Sequence, residues 1–106
     1  MSWQIKTESG VIVVTLGSEM GIQNAADFLQ TVLPLAVSGA ALRIDAQGAK
    51  SVHTSIMQIL YALSQAVPDL GVINASDDFR ATEARVGFSL PRSDQTQISI
   101  DSAQPA

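Results

Sequence analysis

The stretch ALRIDAQGAKSVHTSIMQILYALSQ, residues 41–65, limits the possible folds more than any other part of the chain. A short strand of buried character ends at Asp45, and a loop follows. From Ile56 the apolar residues recur at Ile59, Leu60 and Leu63, the i, i+3, i+4, i+7 spacing of one helix face. A strand that passes through a loop into an amphipathic helix is the opening of a βαβ crossover. Two hydroxyls, Thr54 and Ser55, stand where that helix begins. Free backbone N–H groups and the helix dipole favour negative charge at such a point, so a phosphate could be carried there.

The flanking sequence extends the same alternation. Trp3, Ile5 and Thr7 alternate with Gln4, Lys6 and Glu8, as in a strand with one wet face. Ser9-Gly10 offers a tight turn into the β-branched run at 11–16, predicting a hairpin whose second strand is the more central. Residues 17–21 read as a loop. Asn24 is placed to cap a helix, with Asp27 near its positive end and Phe28, Leu29, Val32, Leu33 and Ala36 as its apolar face. Pro34 lacks an N–H and crowds the Gln30 carbonyl, which predicts a kink or an early end before Ser38-Gly39. The helix after Ser55 should run to about Ala66, where Pro68 stops it, and 70–74 reads as a further strand. Ser76 caps a third helix, with Asp77 and Asp78 in its first turn, Phe79 and Val86 inward, and Gly87 as breaker. The order β-β-α-β-α-β-α predicts a single α/β domain over residues 1–90, with a mixed sheet of at least four strands, an N-terminal hairpin and parallel βαβ crossovers. Residues 91–106 form a polar tail in which Ile98 and Ile100 hint at a short edge strand.

Composition excludes several function classes. Ten acidic against six basic residues give a formal charge of -4. The six cations are scattered, so there is no electrostatic footprint for nucleic acid. No cysteine is present, which fits a reducing compartment and rules out thiol chemistry. The start MSWQIKTESG lacks the basic and apolar regions of a signal peptide. No apolar run approaches the ~18 residues of a membrane span, so direct membrane insertion is not expected. A cytoplasmic domain is the expectation.

Two short stretches carry a family likeness: Ile44-Asp45-Ala46-Gln47-Gly48, then Ser51-Val52-His53-Thr54-Ser55-Ile56-Met57. Together with the strand–helix order over about residues 1–90, they resemble the STAS domain family of anti-sigma-factor antagonists. In that family an aspartate and one or two hydroxyl residues precede this helix. Asp45 and Gly48 fit, Thr54 and Ser55 match the hydroxyl positions, and Met57 replaces a leucine. His53 stands where an acidic residue is usual and Ile56 where glycine is usual. These departures look more like the divergent STAS proteins encoded near bacterial chemotaxis genes. The resemblance implies phosphorylation at Ser55 or Thr54 by a partner serine kinase. It also implies that this partner, a kinase or anti-sigma factor, has a histidine-kinase-like ATPase fold, so that any nucleotide belongs to the partner. A bulky Ile56 beside Ser55 and the lost negative charge at His53 predict slow phosphorylation, if any.

Each of these residues also has a plainer role. Thr54 or Ser55 alone would serve as an N-cap. His53, the only histidine, reads as a surface or interface side chain, or as a pH-sensitive or phosphate-contacting group, since free imidazole titrates near pH ~6.5. No second His, Cys or paired acid lies at metal-ligand spacing. Ser55, His53 and Asp45 compose a hydrolase triad only on paper, because no G-x-S-x-G elbow is present. No catalytic residue, metal or cofactor is assigned. Asp45, at the carboxyl end of a strand, either holds the following loop or meets a partner. Gly48 reads as serving a loop conformation, and Asp77 and Asp78 as helix-start charges. Met20, Met57 and Tyr61 read as packing or contact residues, Tyr61 lying off the main apolar stripe. The expected function is a non-enzymatic signalling module binding a kinase or other protein through Asp45, His53, Thr54, Ser55, Met57 and Tyr61. The alternative is an accessory subunit of a chemotaxis or lipid-transporter complex, without phosphorylation.

Overall fold

The computed structural model describes residues 3–93. Trp3–Glu8 (β1) and Val11–Leu16 (β2) pair antiparallel with Glu8 opposite Val11. Only Ser9 and Gly10 are left for the turn, and both take positive φ, 52° and 82°. That is the backbone of a type I′ hairpin turn, whose twist suits the strands it joins. The chain continues through a two-residue strand Glu19–Met20 (β3), a 3-10 turn at Ile22–Asn24 and helix Ala25–Val37 (α1). Ala41–Asp45 (β4), a second two-residue strand Ser51–Val52 (β5) and Thr54–Ala66 (α2) follow, then Leu70–Ile73 (β6) and Asp77–Val86 (α3).

The sheet is mixed, in the order β1-β2-β4-β6, with β4 parallel to both β2 and β6. One face is covered: Leu42 and Ile44 are fully buried, whereas Ala41, Arg43 and Asp45 on the other face are half-exposed. Ile56, Met57, Leu60 and Leu63 of α2 and Phe28 and Val32 of α1 supply the helical side of that core. Trp3 closes one end, meeting Phe28 edge-on at 5.2 Å, a favoured aromatic geometry. Among the described residues no helix is long and apolar enough to cross a membrane.

Several sequence expectations are corrected. Helix α1 runs through Pro34 to Val37, because its flanking turns dock Val32, Leu35 and Ala36 on the core and packing outweighs one lost hydrogen bond. Leu29 and Leu33 are exposed; the row Phe28, Val32, Leu35 and Ala36 faces inward instead. The Asn24 side chain does not cap α1 but accepts from Gly21 N–H. The apparent loops at 17–21 and 46–53 hold β3 and β5, which pair in parallel. The last strand ends at Ile73, because Asn74 turns into the left-handed region at φ 54°.

The domain also continues past residue 90. Pro91 O accepts from Val72 N–H at 2.8 Å, and Ser93 N–H donates to Val72 O at 3.1 Å, so Arg92 bridges β6 in parallel. Gly71 permits this approach: a Cβ there would lie 2.6 Å from that of Ser93. Ile98 and Ile100 lie outside the described residues.

Candidate functional site

The β3–β5 ladder fixes the backbone just before α2. Lys50 and Ser51 N–H donate to Ser18 O, and His53 N–H donates to Met20 O at 2.8 Å. Met20 and Val52 are buried beneath it. His53 is therefore held in extended backbone, φ -67° and ψ 150°, at the N-cap of α2. Its Nδ1 accepts from Ser55 N–H at 3.0 Å and lies 2.9 Å from Ser55 Oγ. This cap needs the neutral ring with its proton on Nε2, since a ring nitrogen bearing hydrogen cannot accept. The cap is thus the histidine, and α2 begins at Thr54, two residues before its apolar pattern starts at Ile56.

The two hydroxyls consequently differ. Ser55 is half-buried and its Oγ is engaged by His53. Thr54, in the first turn, is exposed, and its hydroxyl makes no intramolecular hydrogen bond among the described residues. Seven residues on, two helical turns away, Tyr61 lies on the same outward face, 41% exposed. Its ring rests against Phe88, with centroids 4.7 Å apart. Met57, three residues after Thr54 and four before Tyr61, is nonetheless fully buried where the sheet covers that edge of the helix. Its side chain has no surface to offer, so it drops out of the expected contact set.

Asp45 is at the carboxyl end of β4, where its Oδ1 accepts from Gln47 N–H at 3.0 Å and lies 3.5 Å from Asn74 Nδ2. Its carboxylate thus holds the loop and turns toward β6 rather than toward His53. The same loop is tied to α3, since Ser76 N–H donates to Ala46 O and Ser76 Oγ donates to Ala49 O at 2.6 Å. Gly48 has no positive φ, and nothing lies within 4 Å of where its side chain would be. The loop does not require glycine there, contrary to expectation. The surface that results is an exposed, uncharged face of α2, with Asp45 and the 46–50 loop at the edge of the sheet. Among the described residues no group of three or more His, Cys, Asp or Glu could hold a metal.

Sequence reasoning missed Ser18, the backbone role of Met20 (which was read only as a packing or contact residue), Asn74 and Phe88. The first two act through backbone carbonyls, which leave no mark in residue identity. Asn74 did leave a signal, because asparagine tolerates the left-handed conformation that ends a strand abruptly. No protein-family model matches the chain, and no curated protein matches it.

Proposed function

We propose that this chain is a STAS-like signalling domain that binds a protein partner through the exposed face of α2 and the adjoining Asp45 loop. On this reading the partner carries a histidine-kinase-like ATPase fold, and phosphorylation of Thr54 releases it. The mixed sheet with its N-terminal hairpin supports the STAS likeness. The observation that carries the regulatory part is the contrast between the two hydroxyls: Thr54 is presented outward, whereas Ser55 is held by the cap of its own helix. Modifying Ser55 Oγ would break its contact with His53 Nδ1 and crowd the ring that caps the helix. A phosphate on Thr54 adds about -1.5 to -2 charge at the positive end of α2, which the dipole tolerates, so the fold survives while the uncharged docking face becomes negative.

The test is partner capture from the native cell, followed by mass spectrometry of residues 54 and 55 and by binding to Thr54→Asp and Thr54→Ala variants. Thr54→Asp should weaken capture at least tenfold relative to Thr54→Ala, with little change in melting temperature. Equal capture by the two variants would remove this face from the interface. Phosphate found on Ser55 alone would reverse the assignment of the hydroxyls.

A second reading, constitutive binding as an accessory subunit of a larger complex, is favoured by α1. Leu29, Leu33 and Val37 are exposed, Val37 at 85%, and they recur at i, i+4, i+8 along one side of α1, with Ile22 also exposed in the 3-10 turn before it. Capture abolished by Leu33→Lys but indifferent to Thr54→Asp would favour that reading.

A further inference from the structure

A second concavity, of about 380 Å3, opens at the carboxyl end of β6, lined by Ile73, Asn74, Ala75, Arg80, Arg92 and Ser93. Open α/β sheets receive ligands outside the carboxyl ends of their parallel strands. The wall carries two guanidinium groups and no carboxylate. Arg92 is pre-positioned: its Nη1 donates to Glu83 Oε2 and Leu90 O, and its Nη2 to Glu83 Oε1. A guanidinium has five N–H donors, so these three bonds leave two, on Nε and Nη2, for a ligand. Arg80 rises from the first turn of α3 and makes one long contact, 3.3 Å, to Ala75 O. Asn74, turned out of the strand at φ 54°, adds an amide.

The charge balance selects among anions. Two arginines against Glu83, which holds Arg92, leave one positive charge on the lining, with the Asp45 carboxylate behind Asn74. That surplus matches a monoanion better than a dianionic phosphate. Of the remaining wall, Val72, Ile73 and Ala75 are aliphatic and Ser93 is a small polar residue. We infer that this pocket binds a small aliphatic carboxylate, its oxygens between Arg80 and Arg92 and its hydrocarbon body against Ile73 and Ala75. The site lies beside the proposed docking edge, since Asn74 also reaches Asp45, but it does not depend on that edge being an interface.

The experiment is an NMR titration of the full chain with sodium butyrate, with sodium phosphate and with sodium chloride at matched ionic strength. Butyrate should shift the amides of Asn74, Ala75 and Ser93 and the Arg80 Nε signal along saturable curves, and chloride should not. Arg80→Gln removes a charge-assisted hydrogen bond and should weaken butyrate at least about tenfold. Arg80 is exposed, and an unchanged indole signal from Trp3 in the core reports that the variant is folded. Linear shifts, equal shifts with chloride, or an unaltered affinity in Arg80→Gln would overturn the site. Phosphate binding more tightly than butyrate would overturn the carboxylate assignment.

Discussion

The β4–α2 and β6–α3 units are built on one plan and finished differently. Each passes from a parallel strand to a helix whose N-cap side chain, on extended backbone, accepts from a first-turn N–H at 3.0 Å: His53 for Ser55, Ser76 for Phe79. Ser76 also donates into the fold, to Ala49 O, whereas among the described residues the exposed His53 ring hydrogen-bonds only to Ser55. Helix α3 has Asp77 and Asp78 at its start and Arg85 at its end, the charge order its dipole favours. Helix α2 has no charge in either end turn, and its stability comes from four buried side chains. A helix held by its inner face and one exposed cap keeps its outer face and Thr54 available to a partner. A helix with charges matched to its dipole and a partly buried ion pair serves as support.

The largest effects should come from the anchors both units need. Phe79→Ala in α3 should cost about 3–5 kcal/mol and Leu60→Ala in α2 about 2–5 kcal/mol by urea denaturation, since both side chains are fully buried. A near-neutral Leu60→Ala would mean that α2 is not seated as described, and the comparison would fail.

Next comes the ion pair that only α3 possesses. Glu83 is buried, accepts from Leu90 N–H at 2.9 Å and binds Arg92, whose side chain is 41% exposed. Glu83→Gln should cost about 2 kcal/mol, less than a fully buried pair because Arg92 keeps contact with water. Burial pushes the Glu83 carboxyl up, but hydrogen bonds from Arg92 and Leu90 and the charges of Arg92 and Arg80 outweigh it, leaving the group below its ordinary value of 4.5. The unfolded chain therefore takes up this proton first as pH falls. The contribution of Glu83 is complete above its ordinary value and is lost as pH drops through the depressed folded one. The stability gap between the parent chain and Glu83→Gln should narrow across that acid window, and a gap that stays constant would show that the charge is not what Glu83 contributes.

The smallest effects separate the caps. Ser76→Ala should cost about 1–2 kcal/mol, because it loses the cap and the Ala49 bond together, and His53→Ala about 0.5–1 kcal/mol. If His53→Ala were the more damaging of the two, the first turn of α2 would be a structural element rather than an adaptable surface.

Much of this framework was legible in residue order. The turn at Ser9-Gly10, the three strands after it, the Ser76 cap and the Gly87 stop all follow from local chemistry. The site was legible only in part. Thr54 and Ser55 were visible as hydroxyls at a helix start, but which of them is presented depends on His53, a residue type with little standing as a cap. Tyr61 was already set off the apolar stripe, but Met57, its neighbour one turn back, was read as a contact residue, and its full burial followed only from how α2 is seated on the sheet.

By itself the amino-acid sequence determined the class of fold, because strand alternation, turn residues and helical periodicity are short-range properties encoded within a few neighbours. Tertiary structure decided which apolar row of α1 is buried and allowed that helix to pass through Pro34, since packing energy is summed over contacts that no local window contains. It also decided the β3–β5 pairing, the docking of Leu90 to Ser93 along β6, and the meeting of Arg80 with Arg92 around one pocket. Those depend on backbone groups and charges distant in sequence, and only the closed chain brings them within hydrogen-bonding distance.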